Sequence, residues 1–164
     1  MPDLTQRVPA FGDYMPPEFA QVVRTHPWRR DRWSAEDVGV LVKNFPCAKY
    51  AQREQVIEAG EPGTWFAIVL SGSLAIPEAQ ATVEQGDLIG EMAMWRPREA
   101  RSASVVGHQP GRIATMLFSE LQTFVSAYPT VGAKLMRVLG RVAISRHADQ
   151  VARERASRVP PAVS

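Results

Sequence analysis

The chain has 164 residues and 45% hydrophobic content, which fits one domain with a core of its own, and its net charge of +2 is too small to imply a nucleic-acid partner. A single cysteine, Cys47, excludes an intrachain disulfide and fits a reducing cytoplasm. No apolar run approaches the length of a membrane span and none follows a basic N-terminal segment, so neither a membrane helix nor a leader is expected.

Residues 1–32 form an extension rich in proline and arginine that either lies on the domain or stays loose. Within it, Pro16-Pro17-Glu18 is suited to start a short helix through Arg24, because proline fits the first helical turn. Trp28 and Trp33 are expected to pack against the helix that follows. Ser34-Ala35-Glu36-Asp37 has the form of a capping box, with Asp37 in the place of the usual glutamate. The helix it opens carries Val38, Leu41, Val42 and Phe45 on one side and stops before Pro46.

Residues 49–118 alternate short apolar runs with turn residues. The expected strands are Gln55–Glu58, Trp65–Leu70, Ser73–Ile76, Ala81–Val83, Ser102–Val106 and Arg112–Phe118, with turns at Leu70-Ser71-Gly72-Ser73 and Gly107–Gly111. Trp65–Leu70 is apolar throughout, as in a strand buried on both faces. Many short strands of this kind point to a sandwich or barrel.

Between the fourth and fifth of these runs lies Gly86-Asp87-Leu88-Ile89-Gly90-Glu91-Met92-Ala93-Met94, with Arg101-Ser102-Ala103 after it. Gly90 lets backbone come close to an anion, having no Cβ in the way. Glu91, Met92 and Ala93 make one helical turn whose N–H groups favour negative charge. Arg101 offers a planar fork of donors for two phosphate oxygens, and Ser102 one hydroxyl more. Glu91 repels phosphate, so its carboxylate is suited to accept from a neutral hydroxyl such as a ribose 2′-OH. Arg96, Arg98 and Glu99, in the intervening loop, are expected to face solvent.

The remaining residues are helical. A helix capped by Ser119 ends before Pro129, and the next places Val131, Leu135, Val138 and Val142 in a narrow stripe. That stripe can either be shared with a second helix or pack back on its own domain. Gly132 and Gly140 each weaken this helix by about 1 kcal/mol relative to alanine. The basic tail, with Arg141, Arg146, Arg153, Arg155 and Arg158, reads as a solvated helix face fraying into Pro160-Pro161.

Taken in order, Glu58-Ala59-Gly60-Glu61-Pro62-Gly63, the glycine of Leu70–Ser73, Gly86-Asp87 and the cassette resemble the cyclic nucleotide-binding domain family. The ten-residue step from Glu91 to Arg101, followed by Ser102-Ala103, is most similar to the catabolite-activator version. The resemblance covers about residues 33–148 and leaves residues 149–164 as a basic tail. It implies a mainly β fold with flanking helices, a β-jelly roll (double-stranded β-helix) with an N-terminal helical segment and C-terminal helices. It also implies a non-enzymatic, ligand-gated module for cAMP or cGMP, held by Gly90, Glu91, Met92, Ala93, Arg101, Ser102 and Ala103. In such a module backbone N–H groups at Met92 and Ala93 complete the phosphate shell, and cAMP is favoured by the catabolite-like cassette. The long helix would cover the base, bringing Arg146 or His147 near it, and would join a homodimer or contact a protein partner.

Two relatives of this fold fit less well. A DNA-binding regulator needs a helix-turn-helix after the long helix, and about a dozen residues remain there, so DNA binding is not expected. A metal-dependent jelly-roll enzyme needs clustered ligands, whereas His26, His108 and His147 are scattered. The alternative to a ligand sensor is a degenerate domain that serves only as an interaction or dimerisation module.

Overall fold

The computed structural model describes residues 17–96 and 100–158. Six antiparallel strands form the body: β1 (Cys47–Tyr50), β2 (Gln55–Ile57), β3 (Trp65–Ile76), β4 (Ala81–Val83), β5 (Leu88–Ile89) and β6 (Val105–Leu117). β6 pairs with β1, β2 and β3, and β3 pairs in turn with β4 and β5. Helices α1 (Pro17–Val22), α2 (Ala35–Asn44), α3 (Phe118–Ala127) and α4 (Pro129–Arg158) flank this roll. Among the described residues no helix is long and apolar enough to cross a membrane.

The all-apolar run of β3 has the two-faced burial its composition requires. Phe66, Ile68 and Leu70 face a helix-side core with Phe19, Trp28, Leu41, Phe45, Phe124, Leu135 and Val138. Trp65, Ala67 and Val69 point the other way, into a core inside the roll with Val56, Val83, Ile89, Val105 and Ile113. Alternate side chains of one strand thus feed two cores. Phe45, just past α2, joins the helix layer to the sheet, with edge-on contacts to Phe19, Phe66 and Phe124 at 5.9–6.4 Å between ring centres.

Two sequence expectations need correction, and one open alternative is decided. First, the runs on either side of Leu70–Ser73 form one strand, and so do those on either side of Gly107–Gly111. The two expected turns lie opposite each other, where the β3–β6 register shifts between Ser71↔Arg112 and Ser73↔Gln109. Gly72 is left-handed there at φ 74°, and Pro110, which cannot donate, falls in the shift where no ladder bond is required. The paired strands bend at this point without ending. The second strand also begins at Val105, which leaves Ser102–Ser104 outside it.

Second, α3 starts at Phe118, with no side-chain cap from Ser119. The Phe118 N–H is satisfied instead by Thr64 O at 3.0 Å. Of the two alternatives for the stripe of α4, the structure takes packing on its own domain: Val131, Leu135 and Val138 are buried in the helix-side core, with Val142 partly buried against it. Its glycine Gly132 sits where an added Cβ would come within 2.9 Å of Val125 Cα, so close packing of α3 on α4 accounts for the small residue. Strands β1 and β5 were not anticipated.

Other expectations agree with the coordinates. Ser34 and Asp37 form the reciprocal capping box, with Asp37 N–H donating to Ser34 Oγ at 3.0 Å and Ser34 N–H to Asp37 Oδ2 at 2.9 Å. The extension lies on the domain where it is described: α1 ends at Val22, before Arg24, and buries Phe19 and Val22. Trp28 is buried, donates to Gly86 O at 2.7 Å and packs on Trp33.

α4 is tied to this N-terminal segment by charge. Arg141 and Arg137 bind the two oxygens of buried Asp31 at 2.6 and 2.8 Å, and Lys134 binds Asp37 at 2.6 Å. Burial alone would raise the Asp31 carboxyl, but the bonds from Arg141 and Arg137 outweigh it and hold it below its ordinary 3.8. A depressed carboxyl stabilises the fold above its unfolded value, and that contribution is lost as pH falls through the folded one. Asp31→Asn should therefore cost about 2 kcal/mol at neutral pH. Its urea midpoint should also fall less than that of the unchanged protein on acidification below pH 4. Parallel acid limbs would show that Asp31 is not the group responsible.

Candidate functional site

The cassette is shaped by one left-handed residue. Gly90 (φ 75°, ψ 0°) ends β5 and opens a single 3-10 turn, Glu91–Met94. A Cβ at Gly90 would stand 2.7 Å from Arg101 Nη1 and 3.0 Å from Trp65 O, so both the conformation and the space call for glycine.

Arg101 is only 9% exposed and is held from several sides. Its Nη1 donates to Gly90 O at 2.9 Å, its Nη2 to Trp65 O at 2.6 Å, and the guanidinium lies 5.2 Å from the centre of the Trp65 ring. Its backbone exchanges bonds with the glycine loop: Arg101 N–H donates to Glu61 O at 2.7 Å and Gly60 N–H to Arg101 O at 2.9 Å. Gly63 leaves room for both Ala93 and the guanidinium, since a Cβ there would sit 2.5 Å from Ala93 Cβ. The Gly60–Gly63 loop, legible beforehand only as a spacing, is thus the mount of Arg101. The fork itself is turned partly onto backbone carbonyls, where the sequence suggested a fork open to a ligand.

Glu91 and Arg101 form no ion pair with each other. Glu91 is fully buried, and its Oε1 accepts from Nη1 of Arg146 on α4, whose Nη2 donates to Leu88 O. The second carboxylate oxygen, Oε2, is buried with no hydrogen-bond partner. Burial pushes the Glu91 carboxyl up, and the neighbouring Arg146 and Arg101 charges pull it back only in part. Of the two helix residues expected near the ligand, Arg146 is brought to the site, while His147 is exposed.

A cavity of about 710 Å³ opens beside the cassette. Gly90, Met92, Ala93, Arg101, Ser102 and Ala103 all line it, together with the turn Pro77–Gln80 and, from α4, Arg146, Asp149, Gln150 and Arg153. Glu91 does not line it, whereas its partner Arg146 does. The Ala93 N–H is directed to Gly90 O at 3.4 Å, a weak bond that a better acceptor can replace. Ser102 is exposed at the rim. Arg96 is exposed as expected, whereas Arg98 and Glu99 lie outside the described residues.

The roll and its flanking helices match the jelly-roll fold of cyclic nucleotide-binding domains. The chain is similar in fold to a cyclic nucleotide-binding domain from Methylobacillus flagellatus KT, at 23% identity over 90% of this chain and 86% of that one, with a TM-score of 0.72. It is also similar to the catabolite activator protein of Thermus thermophilus, at 22% identity and a TM-score of 0.60 over 75% of this chain and 60% of that one. A third likeness is to PKAR CBD2 bound to Sp-2Cl-cAMPS, at 15% identity and a TM-score of 0.57 over 85% of this chain and 87% of that one. No family model and no curated protein matches the sequence.

Because Arg101 satisfies two inward-facing carbonyls, it contributes to stability with no ligand present. Arg101→Ala should lower the unfolding free energy by about 1–3 kcal/mol, the penalty for taking the guanidinium from Trp65 O and leaving Gly90 O with only the weak Ala93 N–H bond. Chemical denaturation in nucleotide-free buffer measures this, and an unchanged midpoint would refute the anchoring.

Proposed function

We propose that the protein is a non-catalytic regulatory module that binds a 3′,5′-cyclic nucleotide, cAMP in preference to cGMP, in the cytoplasm. The observation that carries this is the cavity itself: one buried arginine, a left-handed glycine with its 3-10 turn, and a rim hydroxyl converge on one concave site. Arg101 supplies the counter-charge for the exocyclic phosphate, with N–H groups of the turn and the Ser102 hydroxyl beside it. Glu91 is the acceptor for the ribose 2′-OH. The preference for cAMP follows the catabolite-like cassette, and the switching element is α4, which lines the same cavity. Its partner is another protein or a second copy of the chain met through the C-terminal helix, but not through the stripe, which is used in the domain's own core.

A second reading, a fold kept for protein interaction without a ligand, is favoured by one feature: Arg146 is bonded to Glu91 and part of Arg101's fork is already engaged. Calorimetry separates the two. Titration with cAMP, cGMP, 2′-deoxy-cAMP and AMP should give binding in that order, with AMP weakest. Arg101→Lys, which keeps the charge but loses the planar fork, should weaken cAMP by about tenfold or more. Absence of heat with either cyclic nucleotide, on folded protein, would establish the interaction module instead.

A further inference from the structure

The Glu91–Arg146 pair crosses from the cassette to the last helix, and it divides α4 into two parts with different attachments. The first part is clamped: Lys134, Arg137 and Arg141 hold Asp37, Asp31 and the Pro27 carbonyl, and Val131–Leu139 fill the core. The second part, residues 143–158, is exposed over most of its length, with Ile144 74% exposed. Among the described residues its recorded polar bonds to the rest of the chain are those of Arg146, to Glu91 and to Leu88 O. The remaining recorded bonds of this segment, Gln150 to Glu154 and Ser157 to Glu154, lie within the helix.

We propose that Arg146 is an internal occupant of the ligand's ribose acceptor, so that a ligand 2′-hydroxyl reaching Glu91 displaces Arg146 and releases the distal half of α4 from the cavity mouth. This rests on the nucleotide function proposed above. Glu91 has no exposed surface and its Oε1 already accepts from Arg146, so a hydroxyl and the guanidinium compete for one carboxylate. The carboxylate is not saturated by its present partner: Oε2 is buried without a hydrogen bond, an acceptor that a ligand donor would satisfy. Arg146, Asp149, Gln150 and Arg153 all line the cavity, so the segment that leaves is part of its wall. The direction is specific: ligand loosens the end of α4, where a lid would tighten on it. The 2′-hydroxyl becomes the switching signal, while Arg101 and the phosphate supply affinity. A ligand that has to displace an internal competitor binds more weakly in proportion to the closed population.

The test uses the full chain with Arg146→Ala and, to keep the Leu88 bond without the charge, Arg146→Gln. Hydrogen exchange over residues 147–158 and calorimetry are read on the same samples, with folding checked by circular dichroism. Without nucleotide, either variant should exchange about tenfold faster in this segment than the unchanged protein. Both should bind cAMP tighter by about three- to tenfold. Saturating cAMP should accelerate exchange in the unchanged protein, and 2′-deoxy-cAMP should bind and leave it slow. The latch is overturned if the variants that fold exchange no faster, if they bind cAMP more weakly, or if cAMP protects the segment. Equal release by 2′-deoxy-cAMP overturns the hydroxyl's role. No heat from any protein overturns the nucleotide function and ligand-driven release, while faster exchange in the variants would still establish the latch.

Discussion

Every other part of this molecule hangs on the pairing of β3 with β6. The two longest strands run antiparallel from Trp65↔Leu117 to Ala75↔Val106, and β3 sends alternate side chains into two separate cores. One core binds the four helices to the sheet; the other fills the roll. Neither could form if β3 slipped by one residue, because each side chain would then change faces. The same pair carries the site. β5 is added to β3 at Ala67↔Ile89 and Ile68↔Leu88, and the cassette turn starts where β5 stops. The cavity therefore inherits its position from a strand register fixed by hydrophobic burial.

Arg101 is where stability and the proposed recognition meet. A guanidinium this deeply buried needs partners, and it finds them in two backbone carbonyls and the Trp65 face. Those contacts fix its orientation before any anion arrives, which lowers the ordering cost of binding. They also engage donors that an anion would otherwise use. Arg101 is thus best understood as preorganised structure with residual donor capacity. The glycines at 63 and 90 are parts of the same device, since each lets backbone approach this one side chain, and the left-handed Gly60 binds its backbone carbonyl.

What the sequence made legible follows from how local each cause is. The capping box at Ser34 and Asp37 is a contact between neighbours, and the all-apolar run at Trp65–Leu70 can be buried only on both sides; both were readable. The cassette residues share one short segment, so their convergence was readable as well. The continuity of β3 and β6 was not. Gly72, Gly107, Pro110 and Gly111 are turn formers by composition, and only the opposing strand makes them a bend within a ladder. The close approach of Ser71 O to Gly111, 2.1 Å from where a Cβ would stand, is a tertiary reason for glycine that no local rule contains. Likewise the Phe118 N–H finds Thr64 O from a distant segment, which makes the Ser119 cap unnecessary.

The Glu91–Arg146 pair is the deepest of these non-local effects, because it joins residues 55 positions apart and changes what each is for. A carboxylate beside a phosphate site and an arginine on a polar helix face have separate plausible roles in sequence. Brought together, they pair a fully buried carboxylate with a partly exposed guanidinium, and the carboxylate without its counter-charge would be costly. The pair therefore sets a condition on a ligand hydroxyl that takes Arg146's place at Glu91: it must replace that hydrogen bond, while a ligand without the hydroxyl leaves the pair as it is. The helix supplies the other half of the condition. Its first turns are held by Asp31, Asp37 and a buried apolar face, so displacing Arg146 leaves the fold intact. A firmly rooted helix with a weakly fastened end can move at that end alone, and here the fastening lies at the mouth of the ligand cavity.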